Sequence, residues 1–524
     1  MHAGKYQLIA GLLAVALSFS LPLAAVALDS PDAPPAPPEE AGPASVMAPF
    51  SPSEATAPPS GTQPAALSDP VSSEAPKPGS ILPETLSAEQ ASKLVFKGAV
   101  AKLDRKIMLE CIKLARYNAE YHDNVNRKSF AQEWLYPMQR EAGTALAFSN
   151  TIVDIRQRAR GLRNPSLVSR TAQKKGLECA IVGQAITGTS SAVQLLQNLN
   201  FTRVASKNGF SPAASAAVVK GYVTTIDAML AERAQLLAGQ NLVRTKELYE
   251  LQGRLLTHIK NQLIFEYKNW SVGSRFTEWS ENTFYAIDSA QGFTQMGSSL
   301  CSLQGFSKRD YSGGAAITGL VGNALVTCNP IIRTTVGHVV AKIERRRLDK
   351  LFPQGPRRSI DEVLSEWSSS ADPRAVDDSS PLETKELAFL IRRTEELDGP
   401  LDKEVAHVQQ LRRIADQQAI SGPLIGLTGV TRSVMNTIAY YQNSPPGSPN
   451  FESSRVAGNK LNLSGRIVQS TGQAYSLVNT PYTEVKHYLY YRRLKKANQS
   501  PKQLLEQRLN RLAELEKRVK ASLY

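Results

Sequence analysis

The chain has 524 residues, 42% hydrophobic and 21% charged, with 61 Lys and Arg against 47 Asp and Glu, net +14. That length is ample for an enzyme, so size excludes no function class. The four cysteines do exclude something: no pair has C-x-x-C spacing, which removes a zinc ribbon and a thioredoxin-like redox role.

The charge is placed unevenly. Residues 1–90 hold two basic residues (Lys5, Lys77) and nine acidic ones, leaving 59 basic and 38 acidic in the rest, net +21. An acidic leader ahead of a strongly basic body predicts contact with a polyanion such as an anionic membrane surface, an envelope polysaccharide or nucleic acid.

Residues 1–27 read as a secretory signal: a short positive start, an apolar core from Leu8 to Leu21, and Ala25-Val26-Ala27 as the cleavage motif. Export to the periplasm, cell envelope or exterior follows as the expectation. Residues 28–86 are dominated by Pro, Ala, Ser and Glu, without usable periodicity, and are expected to be a disordered spacer. In an exported chain four cysteines favour disulfides, and the expected pairs are Cys301–Cys328 and Cys111–Cys179, one of three connectivities.

From residue 87 the pattern is helical, and 87–352 is expected to form a helical bundle domain. Ser87 and Gln90 form a capping box, and Leu103, Ile107, Cys111, Leu114 and Tyr121 recur at helical spacing. A second helix is expected over 132–162, broken near its start by Pro137 and ended by Gly161 and Pro165. Residues 179–202 carry no charge and contain Ala-Ile-Thr-Gly (185–188). The longest helix is expected over 212–270, followed by an aromatic concentration from Phe265 to Tyr285 that suits a core plug at the bundle end.

The stretch Tyr311–Ile332 (YSGGAAITGLVGNALVTCNPII) repeats Ala-Ile-Thr-Gly at 316–319 and again lacks any charge. Looser echoes are Leu427-Thr428-Gly429 and Leu463-Ser464-Gly465. The expectation is one packing device reused, small-residue helices closely apposed at the centre of a soluble bundle, with membrane entry as the rival. A basic run follows: Lys342, Arg345, Arg346, Arg347 and Lys350, then Arg357 and Arg358. These are the candidate polyanion or membrane-surface contacts.

A linker is expected over 353–381. A second helical region, 382–497, is expected to pack on the first, with helices over 382–398, 400–418, 421–441, 456–477 and 482–496. An amphipathic, coiled-coil-like helix at 498–524, striped by Leu505, Leu509, Leu512, Leu515 and Val519, is a candidate protein-partner surface. No stretch alternates with period two, so the expected fold class is all-α, a long-helix bundle with small-residue central helices.

Catalytic signatures are missing. No two histidines stand at i, i+3 or i, i+4, and no phosphate-cradling loop, nucleophile elbow or H-E-x-x-H occurs. Glu278, Glu281 and Asp288 are the nearest approach to a carboxylate constellation. No cofactor, metal or small-molecule substrate is indicated. The leading expectation is an exported non-catalytic scaffold or binding protein that meets an anionic envelope component or a partner protein. The second is a membrane-inserting or pore-forming protein using 179–202 and 311–332, and the third is a cryptic hydrolase.

Overall fold

The computed structural model describes residues 88–125, 130–239, 246–308, 310–353, 360–370, 385–394, 421–442 and 448–522. The signal at 1–27, the spacer at 28–86, Ser87, Arg357, Arg358 and the helix expected over 400–418 lie outside them. Every regular element among the described residues is helical and none is a strand, which is the expected all-α class.

The helices are α1 (Ala88–Val125), α2 (Phe130–Arg163), α3 (Arg170–Ala205), α4 (Pro212–Ala238), α5 (Lys246–Gln304), α6 (Asp310–Leu351) and α7 (Ile360–Ser370). They continue with α8 (385–394), α9 (Ser421–Gln442), α10 (Phe451–Lys496) and α11 (Pro501–Ala521). Local chemistry sets several ends. Ser169, Ser211 and Ser500 each accept a backbone N–H at a helix start, and Ser500 with Gln503 completes a capping box. Gly209, at φ 85°, supplies the left-handed residue that turns the chain from α3 toward α4.

Four boundaries differ from expectation. The helix read over 212–270 is two, because α4 ends at Ala238 with Gly239 as its C-cap, while α5 runs on for 59 residues. Pro137 does not break α2, and Pro481 does not divide 456–477 from 482–496; both helices pass through. The stretch read as a linker contains α7.

The molecule has two unlike halves. One is a conventional apolar core. It is built by α1, α4, the first half of α5, the end of α6 (Leu348, with Phe352 just beyond), Val363 of α7, Leu390 of α8, and Leu512, Leu515 and Val519 of α11. The α1 stripe read from sequence, Leu103, Ile107, Cys111, Leu114 and Tyr121, is wholly buried there. Two buried ion pairs brace this core: Arg233 Nε to Asp104 Oδ1 at 2.6 Å, and Arg508 Nη1 to Glu266 Oε1 at 2.6 Å.

Beside the second pair, the His122 ring packs against Trp270, tilted by 44° with centroids 4.3 Å apart. Burial, aided by the charge of Arg508, pushes the His122 pKa down to about 4. A His depressed in the folded state binds fewer protons than in the unfolded chain between about pH 6.5 and 4. Its contribution is therefore intact above 6.5 and lost as pH falls through that window. Partial solvent access reduces the full linkage value to about 2 kcal/mol. Urea unfolding at pH 7.5 and pH 4.5 should show this loss, and His122→Phe should flatten it.

The other half is a ring. α2 packs on α3, α3 on α5, α5 on α6, α6 on α9, α9 on α10, and α10 back on α2. Among the described residues no two non-adjacent ring helices share more than a marginal contact. Among the described residues, α2, α3, α9 and α10 contribute nothing to the apolar core.

Candidate functional site: the interior of the ring

The ring closes on small residues. A Cβ on Gly292 of α5 would lie 2.6 Å from the backbone of Gly188 in α3, and one on Gly426 of α9 would lie 2.6 Å from the backbone of Thr327 in α6. Only glycine permits backbones this close. The four glycines of the repeated strings fall on four successive seams: Gly188 on α3/α5, Gly319 against Ser298 on α5/α6, Gly429 against Asn323 on α6/α9, and Gly465 against Arg432 on α9/α10.

The inward faces are polar. Asn323 bridges α5, α6 and α9, accepting from Gln295 Nε2 at 2.9 Å and donating to Ser433 Oγ at 2.9 Å. Ser299 Oγ donates to Gln184 Oε1 at 2.9 Å, and Thr151 Oγ1 to Gln473 Oε1 at 2.8 Å. Asp288, 2% exposed, accepts from Tyr136 and Ser191 at 2.7 Å each and faces Arg140 at 3.5 Å. Arg140 and Arg333, from helices opposite each other in the ring, both lie over the Phe284 ring, at 5.7 and 5.3 Å from its centroid.

The outward faces are apolar. On α9 the exposed large residues are Leu424, Leu427, Val434, Ile438 and Tyr441, and on α10 they include Ile467, Tyr475, Val478, Tyr482 and Val485. α3 exposes Val182, Val193, Leu196 and Leu199, and α6 exposes Ile317, Ile331 and Ile332. Large residues outside with small and polar ones inside reverse the usual arrangement of a protein in water.

Six segments, 135–155, 179–202, 282–307, 311–332, 421–442 and 461–483, contain six charges between them: Arg140, Glu141, Asp154, Asp288, Arg432 and Arg466. All six turn toward other ring helices. Arg140 meets Asp288, Glu141 accepts from Ser476 at 3.4 Å, and Asp154 pairs with Arg466 at 2.5 Å. Arg432 faces Arg466 and Asp154.

Of the residues nominated from sequence, Glu278 and Glu281 do not form a site with Asp288. Glu278 binds Arg275 and Thr202, and Glu281 binds Asn198. Lys342, Arg345, Arg346 and Lys350 are exposed along α6 beyond the ring, while Arg347 is tied to Glu344 at 2.7 Å and to the Pro212 carbonyl at 3.0 Å. Among the described residues no three His, Cys, Asp or Glu side chains converge as a metal site.

The expected disulfides do not form, and all four cysteines are free thiols. Cys301 lies beside Gly314, and Cys328 is fourteen residues further along α6, about 21 Å at 1.5 Å per residue. Cys111 is sealed in the apolar core, where burial pushes its thiol up to about 12, while Cys179 is in the distant half of α3. Sequence reasoning missed Tyr136, Arg432 and Arg466. The available signal was a single arginine inside each of two otherwise uncharged helical segments, 421–442 and 461–483. No family model, curated protein or solved structure matches the chain.

Proposed function

We propose that the ring spans a lipid bilayer and that the protein is a membrane-embedded, non-catalytic pore-class protein. The half built on α1, α4 and α11 then stands in water on one side. The observation that carries this reading is that six helices close a ring in which every charge of the central segments turns inward and the outward faces are apolar.

The dimensions agree. Glu178 to Arg203 on α3 and Lys460 to Glu484 on α10 bracket outer faces without an exposed charge of about 37 and 36 Å, against about 30 Å of hydrocarbon plus the interfacial zones. Exposed aromatics stand near both ends of the belt, Tyr311 and Tyr441 at one, Trp279, Tyr482 and Tyr488 at the other. Exposed Lys342, Arg345 and Arg346 lie beyond the second end, where headgroup phosphates would meet them.

By composition alone only two described segments, Arg170–Ala238 and Tyr311–Leu351, are long and apolar enough to cross a membrane. The other ring helices carry inward polar groups that lower an averaged hydropathy without touching lipid. Helix-interior proline at 137, 330 and 481, all in ring helices, also suits a bilayer, where neighbouring helices satisfy the freed carbonyls.

Cys328, exposed on the outer face of α6, is a native probe. In a Cys179→Ser, Cys301→Ser background, with Cys111 sealed in the core, the protein should float with liposomes and resist alkaline carbonate. Cys328 should react with a lipid-soluble maleimide and ignore a charged, impermeant one until detergent is added. A protein left in the carbonate supernatant, with Cys328 open to the impermeant reagent, would return the reading to a soluble scaffold that touches membranes through Lys342–Lys350.

A further inference from the structure

We propose that the ring interior holds a small, doubly charged oxyanion, of the chemistry shared by inorganic phosphate and a short dicarboxylate, between Arg158, Arg432 and Arg466. These arginines come from three consecutive ring helices, α2, α9 and α10, and share a single carboxylate. Arg466 Nε is 2.5 Å from Asp154 Oδ2, and Arg158 Nε is 3.0 Å from Oδ1, so both carboxylate oxygens are engaged. Gln469 adds one contact to Arg466, at 3.3 Å.

Arg432 has no hydrogen bond or ion pair among the described residues, and the charged groups that act on it are Arg466, Asp154 and Arg158 alone. Three guanidinium groups against one carboxylate leave a partly buried charge of +2. A partly buried cation without a counter-ion is costly. A dianion is the ligand that balances it, and planar guanidinium forks match its oxygens.

Arg432 is partly open to solvent. At the nearer end of the ring, Arg156, Arg160 and Arg163 of α2 and Lys174 and Lys175 of α3 form a basic rim that would steer an anion inward. This site does not depend on what covers the outside of the ring.

The test is thermal unfolding of the purified full chain in phosphate, in succinate, and in chloride at matched ionic strength. Phosphate or succinate should raise Tm by about 3 °C or more, saturating with concentration, while chloride does not. Whichever of the two acts at lower concentration identifies the oxyanion. Arg432→Gln should abolish the shift and, by relieving repulsion among three cations, leave Tm in chloride equal or higher. Arg158→Gln should weaken the phosphate or succinate response about tenfold.

Equal Tm in all three salts would overturn the proposal, as would a shift that survives in Arg432→Gln. An Arg432→Gln protein that fails to fold, or melts lower in chloride, would mark Arg432 as a structural residue and overturn it as well.

Discussion

Replacing Arg508 with Met is expected to cost about 3–5 kcal/mol of folding stability in the half built on the apolar core. Arg508 is 5% exposed and Glu266 1%, so removing the guanidinium leaves a carboxylate sealed in an apolar core without its cation. The side chain also lies over the Trp270 ring, 5.4 Å from its centroid, so the loss includes packing. Through this residue α11 is pinned to α5, and with it Leu512, Leu515 and Val519, which fill the core beside α1. The expected readout is early proteolysis at the C-terminal helix and a urea midpoint well below the parent. Pairing the change with Glu266→Gln should recover part of the loss, because the orphaned charge is removed. His122 gives a second readout: without the Arg508 charge its pKa should rise, and the acid limb of the stability curve should weaken.

Leu427→Asp separates the two possible environments of the ring's outer face. Leu427 is 58% exposed on the outer face of α9, in a segment whose one charge, Arg432, turns inward. If that face meets lipid, a carboxylate there costs about 2.5–3.5 kcal/mol for insertion, and the variant should fail to integrate. If the face meets water, a surface change of this kind falls within about 0.5 kcal/mol of neutral, and solubility should improve. Carbonate extraction of parent and variant membranes reads the difference directly. A Leu427→Ala control removes the same contacts without adding charge and should integrate normally.

The parts of the fold that obey water's rules were legible in the sequence. α1 and α11 announce themselves by apolar stripes, and those stripes are buried. The ring was not legible as a ring, because its determinants are small residues and polar pairs distant along the chain: Asn323 meets Ser433, and Thr151 meets Gln473. The repeated Ala-Ile-Thr-Gly string did reveal a packing device, and each copy marks a seam, but no local pattern states which seams adjoin. Asp288 was noticed for the wrong company. It had been grouped with Glu278 and Glu281 on its own helix, while its partners Tyr136, Ser191 and Arg140 come from α2 and α3. The disulfides failed for a related reason: an even cysteine count says nothing of distance along a helix.

The seam between α10 and α2 differs from the other five. It is joined by Asp154–Arg466, Thr151–Gln473 and Ser476–Glu141, with no close glycine approach among the described residues. Its two sides are separated by 322 residues at Thr151 and Gln473. During synthesis at about 5–20 residues per second, α2 therefore waits tens of seconds for its partner. Until then the growing chain is an open trough whose inward Asp154 has no Arg466 to meet. The last junction made is thus the one built from charge and hydrogen bonds, which suits a closure step: such groups stay solvated while they wait, and they accept only the correct register when they join.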